Sequence, residues 1–458
     1  MKYLLTLILV LTISFQIRSQ TKFAVIGDYG KAGSNELNVS NLVKSWSPEF
    51  VITLGDNNYE YGAAETIDTN IGKYYSEFIY PYTGKYGTGD KVNRFFPSLG
   101  NHDYYTAGAA PYLSYFTLPG NERYYDFIKG NVHFFALDSN PNEPDGRDSS
   151  SVQAQWLKAG LAESSSRYNI VYFHHPPYSS SSVHGSEEIM QWPFREWGAT
   201  IVLAGHDHTY ERLSKENFTY IVNGLGGKSI YDFGTPLPES ILRYNNNYGA
   251  MQVISYHDSI VFKFITVTPT VRDNFKLLPS EKNLELKMKI EGFADTISNT
   301  MTGDTVKVLL RKSTVPYEII DSALSFVDSS GKGVFSFSNA DNAYGYYLVL
   351  IHRNSLETWS ASGNSFILNK LAYDFTPYSS RAYGNNLTLK GIEYCIYSGD
   401  QNQDGIIELE DVINVSNDAN DFAAGYLSSD VTGDNEVNLS DILVTYNNNG
   451  KFVLKIIP

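Results

Sequence analysis

Short apolar runs closed by Gly- and Asp-rich turns dominate the chain from residue 22 to about 267: FAVIGDYG, FVITLGDNNY, VHFFALDSN, NIVYFHHPPY, TIVLAGHDHTY and YIVNGLGG. Runs of this length, rich in β-branched and aromatic residues, predict buried strands that deliver polar side chains at their carboxyl ends. Between them, residues 34–45 and 149–165 carry helical character, so strand and helix alternate and a layered α/β domain is expected. In such sheets ligands bind where the strands end.

Beyond residue 276 the texture changes to alternating segments, LELKMKIEGF, DTVKVLLRKS, GVFSFSNA and YGYYLVLIHRN, separated by Gly, Asn, Asp and Ser turns. This pattern predicts an antiparallel β-sandwich of roughly 110 to 120 residues. It gathers no His or carboxylate cluster, and its lone His352 reads as structural. The end of the chain holds an internal repeat, DQNQDGIIELED from Asp400 and DVTGDNEVNLSD from Asp430, each followed by a short apolar, helix-like run. The expected boundaries are 21–268 for the α/β domain, 275–395 for the sandwich and 398–458 for the repeat.

The first residues place Lys2 before an apolar run from Tyr3 to about Phe15 and then short polar residues. That is the layout of a secretory signal peptide, residues 1–20, with cleavage near Ser19 or Gln20. The run is short for a membrane span and no second candidate follows it, so a secreted or cell-surface protein without a membrane span is expected. The net charge of -15 and pI near 5.1 argue against a nucleic-acid partner, which calls for a basic stripe. Cys395 is the single cysteine; it cannot form an internal disulfide and reads as a packed thiol.

Five segments concentrate metal-binding side chains: GDYG (Asp28), GDNNY (Asp56, Tyr59), GNHD (Asn101, His102, Asp103), HHPPY (His174, His175) and GHDH (His206, His208). One Gly-Asp after a strand is an ordinary turn. All five in series, each after an apolar run, place their side chains at one sheet edge and in one pocket.

These segments resemble the five motifs of the calcineurin-like metallophosphoesterases in their purple acid phosphatase branch, over roughly residues 22 to 268. The resemblance implies an α/β fold, a metallophosphoesterase β-sandwich flanked by helices. It implies that Asp28, Tyr59 and His208 bind one metal ion, that Asn101, His174 and His206 bind a second, and that Asp56 bridges both. Carboxylate and phenolate oxygens suit a trivalent iron, and two imidazoles with an amide oxygen suit a divalent ion, so iron paired with iron, zinc or manganese is expected. Tyr59 is the position that gives this branch its purple tyrosinate-to-iron charge transfer. The implied reaction is hydrolysis of phosphate monoesters by a metal-activated hydroxide. Protonation of the leaving oxygen falls to a His not committed to metal: His102, with Asp103 orienting its ring, then His184 in the loop SSSSVHGSEE, then His175. His133 reads as core, and His257 as part of a hairpin turn.

In the first terminal loop Asp400, Asn402, Asp404, Ile406 and Asp411 hold positions 1, 3, 5, 7 and 12 of a calcium loop, with Gly405 at the turn. In the second, Asp430, Thr432, Asp434, Glu436 and Asp441 hold the same positions, and Asn435 replaces the turn glycine, which Asn does by adopting the left-handed conformation. The pair resembles a type I dockerin, a small helical EF-hand-like module. That resemblance implies bound Ca2+ and docking onto a cohesin-like or cell-surface scaffold. Two alternatives stand beside the phosphatase reading: a phosphodiesterase or nucleotidase using the same metals, and a surface-assembly protein in which the terminal module dominates.

Overall fold

The computed structural model describes residues 20–342 and 344–458; the expected signal peptide, apart from Gln20, lies outside the described residues. Thirteen strands build the first part of the chain: β1 (Thr21–Ile26), β2 (Phe50–Thr53), β3 (Phe95–Pro97), β4 (Tyr125–Lys129), β5 (Val132–Ala136), β6 (Tyr168–Phe173), β7 (Ile201–Ala204), β8 (Tyr210–Lys215), β9 (Phe218–Asn223), β10 (Ser240–Tyr244), β11 (Gly249–Ser255), β12 (Ile260–Thr266) and β13 (Val271–Leu277). They form two sheets, ordered β13-β12-β11-β1-β2-β3 and β10-β8-β9-β7-β6-β5-β4. β1, β2 and β3 run parallel, as do β5, β6, β7 and β9.

The strand period of two decides which residue goes where. In β5 and β6, Phe134, Ile170 and Tyr172 point into the core shared with the first sheet, while Phe135, Val171 and Phe173 point to a second core on the opposite face. Phe23 of β1 stacks on Phe50 of β2 at 5.1 Å and meets Phe134 of the second sheet edge-on at 5.0 Å. Each ring is completely or almost completely buried, which stabilises by roughly 2–3 kcal/mol apiece. Phe134→Ala, which opens a cavity between the sheets, is therefore the single change most damaging to this packing, at about 3–5 kcal/mol.

The helices form where the sequence places them. Residues Ser34–Ser45 are helical and bury Val39, Leu42 and Val43 at the spacing of one helix face. Helix Val152–Glu163 begins at Ser151, whose hydroxyl accepts from the Ala154 N–H, and packs Ala154, Leu157 and Leu161 into the second core. Among the described residues no helix is long and apolar enough to cross a membrane.

One expected boundary is corrected. β13 pairs antiparallel with β12, Phe262 opposite Phe275, so the α/β part runs to Leu277 and not 268. Pro269 marks a hairpin turn within the sheet, and turn residues alone do not distinguish a hairpin from a domain junction.

The next segment has one sheet with strands Ile319–Val327, Asp304–Lys312, Tyr346–His352 and Ser355–Trp359, and a second with Lys332–Phe337, Lys282–Lys287 and Lys370–Asp374. Leu284, Leu286, Val306, Val308, Phe335 and Leu350 share the core between them. His352 is buried and bonded to Asp304 and Ser355, and burial pushes the Cys395 thiol up to about 12.

Both terminal loops lead into helices, Leu409–Asn420 and Leu439–Asn449. Asp411 and Asp441 each accept from the backbone N–H of the residue capping their own helix, Glu408 and Asn438. The unit is fastened to the sandwich by Arg353, which reaches Asp304 at 3.0 Å and the Asp430 carbonyl at 3.1 Å.

Candidate metal centre

The parallel strands all end at one edge, and the five segments follow them there. Asp28 lies two residues past β1, Asp56 three past β2, Asn101 four past β3, His174 one past β6 and His206 two past β7. Asp28, Asp56 and His206 adopt left-handed φ values of 55°, 53° and 69°, which non-glycine residues hold only where the surroundings enforce it. Gly55, at φ 87°, lets His174 in: a Cβ there would lie 2.5 Å from the His174 ring nitrogen.

Seven side chains named from sequence converge. The Tyr59 hydroxyl stands 3.2 Å from Asp28 Oδ1 and 3.1 Å from His208 Nε2, and that nitrogen is 3.4 Å from Asp28. His174 Nε2 is 3.0 Å from Asn101 Oδ1, 3.1 Å from His206 Nδ1 and 3.4 Å from Asp56 Oδ1. His174 donates its Nδ1–H to the Leu54 carbonyl at 2.8 Å, so Nε2 presents a lone pair. Asp28, Asp56 and His174 form one group of candidate ligands and His174, His175 and His206 another.

Burial first, then like charges, pushes Asp28 and the Tyr59 phenol well up; burial pushes His206 well down and His208 down to about 4. A cation among them would reverse the penalty on each carboxylate and on the phenolate. The residues present therefore fit a pair of metal ions by donor type: oxygens with one imidazole on one side, imidazoles with an amide oxygen on the other.

The three candidate proton donors lie around this cluster. His102 is partly exposed, its Nε2 3.9 Å from Asp56. His184 is exposed, with its ring 4.0 Å from that of His206. His175 is buried, bonded to Ser139 at 2.8 Å, with its ring 4.4 Å from His206. Burial, with the neighbouring cationic groups adding to it, pushes the His175 pKa well down.

The role expected of Asp103 is corrected. Its carboxylate accepts from the N–H of Gly100 at 2.9 Å and from the side-chain amide of Asn57 at 2.9 Å. The His102 ring is set instead by the Glu60 carbonyl, 2.6 Å from Nδ1. Asp103 thus ties the turn after β3 to the turn after β2, a backbone role that a neighbouring position in sequence does not reveal.

Sequence reasoning also passed over several contributors. Asp207, between the two motif histidines, accepts from the Ser179 hydroxyl at 2.6 Å and the Gly185 N–H at 3.1 Å, anchoring the loop that carries His184. Tyr231 stacks on His208 at 4.1 Å, and the Lys228 ammonium lies 4.8 Å from the Tyr59 ring centre. The Gly-rich turn after β9, at the same sheet edge, was the available signal for both. In the terminal loops Asp400 is buried with Oδ1 lacking a partner, and Gly405 and Asn435 take φ values of 91° and 66°.

Residues 21–210 match the calcineurin-like phosphoesterase family. Purple acid phosphatase 15 of Arabidopsis thaliana is 30% identical over 246 residues, which are 45% of this chain and 45% of the relative. Tartrate-resistant acid phosphatase type 5 of Oryctolagus cuniculus is 23% identical over 292 residues, covering 54% of this chain and 84% of the relative. The chain thus spans less than half the length of the plant relative. Among solved structures, purple acid phosphatase PPD1 from yellow lupin (Lupinus luteus) seeds aligns with a TM-score of 0.49 at 18% identity, covering 57% of this chain and 54% of that one. Over residues 21–210 the chain is thus similar to calcineurin-like phosphoesterases, and its relatives by sequence include purple acid phosphatases.

Proposed function

We propose that the chain is an exported phosphatase that hydrolyses phosphate monoesters with two metal ions. Asp28, Tyr59 and His208 would hold one ion, Asn101, His174 and His206 the other, and Asp56 both. The observation that carries the reading is the meeting of an amide oxygen, a second imidazole nitrogen and a carboxylate oxygen at 3.0–3.4 Å around His174 Nε2, a donor set that a cation would satisfy. Iron with iron, zinc or manganese suits the donors.

When bound, such a pair activates a water molecule and neutralises charge on the phosphoryl oxygens. The protein's own part is to hold and move a proton. His102, fixed by the Glu60 carbonyl, leaves Nε2 free to protonate the departing oxygen. His184 and His175 stand behind it in that role. The buried surroundings of Asp28 and His174 keep bulk water from competing for the ligands.

For the terminal repeat the proposal is Ca2+ binding and docking onto a cohesin-like or cell-surface scaffold. What supports it is that exposed apolar residues recur with the repeat: Leu409 with Leu439, Ile413 with Leu443, and Phe422 with Phe452.

The test is to purify the chain lacking residues 1–20 and measure phosphatase activity and metal content beside Asp56→Ala. Loss of both in the variant is expected; equal activity would sink the two-metal reading.

A further inference from the structure

We propose that Tyr61 and Tyr105 form a subsite for a flat aromatic leaving group, so that phosphates of aromatic alcohols are preferred over those of alkyl alcohols. The inference deepens the phosphatase reading and rests on it.

Four rings make a row that leads outward from the metal centre. Centroid distances are 4.3 Å from Tyr59 to His102, 4.7 Å from His102 to Tyr105 and 6.5 Å from Tyr105 to Tyr61. Exposure rises along it, from 2% at Tyr59 to 57% at Tyr105 and 70% at Tyr61. Single exposed aromatics are ordinary. Two adjacent ones that continue a row beginning at a metal ligand and passing through the proton donor present an open aromatic surface at the mouth of the site.

The wall is rigid. The Tyr61 carbonyl accepts from the Thr106 hydroxyl at 2.7 Å. Its neighbour Gly62, at φ 62°, sits so close to residues 102 and 103 that a Cβ would lie 2.6 Å from the Asp103 carbonyl oxygen. Tyr105 is fixed through its hydroxyl, which accepts from Asn101 Nδ2 at 3.2 Å. A ring held in place before binding, as that of Tyr105 is, loses little freedom when a ligand stacks on it.

The position of His102 sets the direction. In hydrolysis a water oxygen bonds to phosphorus, the ester P–O bond breaks, and the leaving oxygen takes a proton from His102. Whatever that oxygen carries extends past His102 to Tyr105 and Tyr61, where an aromatic ring finds offset or edge-on partners and an alkyl chain does not.

The test compares kcat/KM for phenyl phosphate and glycerol phosphate in wild type, Tyr61→Leu and Tyr61→Trp. Taking the aryl-to-alkyl ratio relative to wild type cancels the difference in intrinsic reactivity of the two esters. The ratio is expected to fall roughly 3- to 10-fold in Tyr61→Leu and to be kept or raised in Tyr61→Trp, with glycerol phosphate turnover little changed. The calorimetric preference for phenylphosphonate over methylphosphonate should fall in parallel in Tyr61→Leu. An unchanged ratio in folded Tyr61→Leu overturns this inference alone. Absence of turnover of either ester by the wild type overturns the phosphatase reading and this inference with it.

Discussion

His174 Nε2 and Asn101 Oδ1 face each other at 3.0 Å, and with the imidazole neutral neither carries a hydrogen for the other. The imidazole proton is spent on the Leu54 carbonyl at 2.8 Å, and the Asn101 amide hydrogens point to the Tyr105 hydroxyl. Two acceptors, one buried and one half-buried, brought together at this distance are costly unless a cation divides them. Asn101→Leu keeps the bulk and removes the oxygen. Metal content measured by elemental analysis is expected to drop from two ions per chain to about one, with kcat/KM reduced at least about 100-fold. Full metal content in the variant would show that the amide is not a ligand.

Tyr59 makes a separate claim. Its hydroxyl lies between Asp28 and His208, and Tyr59→Phe removes only that oxygen. If iron occupies the adjoining position, the purified protein has a visible absorption band and the Phe variant lacks it. A band that persists unchanged in Tyr59→Phe would assign the colour to another ligand.

Asp103 is expected to act on folding and not on the proton donor. Asp103→Asn keeps one acceptor oxygen and sets an NH2 group against the donors converging on this carboxylate, the Gly100 N–H and the Asn57 side-chain amide and backbone N–H, a loss of roughly 1–3 kcal/mol. His102 should keep its orientation, because the Glu60 carbonyl holds it. Thermal melts and kcat/KM measured on the same samples separate the roles. A normal melt with a 10- to 100-fold loss in kcat/KM, the order found for groups that orient catalytic or ligating side chains, would restore Asp103 as the orienting carboxylate.

These outcomes trace what a sequence can reveal. Strands β1, β2, β5, β6, β7 and β9 were legible because each reads as an apolar run closed by a turn rich in Gly, Asp, Asn or His, and the alternation of Phe134 and Phe135 between two cores follows from the pleat. The candidate ligands Asp28, Asp56, Asn101, His174 and His206 were legible as a group because they lie one to four residues beyond parallel strands, so one topological rule collects them. Asp103, Asp207, Lys228 and Tyr231 were read wrongly or passed over because their roles depend on contacts between turns far apart in the chain. Asp103 to Asn57 and Asp207 to Ser179 are pairings that no local pattern encodes. The boundary at Leu277 was missed for the same reason: whether a hairpin continues a sheet depends on β12, not on the residues of the turn.

Glu36 supplies a prediction remote from the metal centre. It is fully buried in helix Ser34–Ser45, and neither carboxylate oxygen has a hydrogen-bond partner. Burial pushes its pKa well above 4.5, against a smaller opposing pull from the Lys73 charge. Between 4.5 and the raised value the folded chain keeps a proton that the unfolded chain has lost. The folded state then binds more protons, and stability falls as pH rises through that window. Glu36→Gln has the same shape and no proton to lose, so it should match the wild type below pH 4.5 and exceed it increasingly above. The gap should grow by about 1.4 kcal/mol per pH unit until the folded pKa is reached. Denaturant unfolding of both proteins at several pH values measures it, and other titrating groups cancel in the difference. A gap that stays constant with pH would mean that Glu36 remains ionised in the fold, with its charge answered by Lys73.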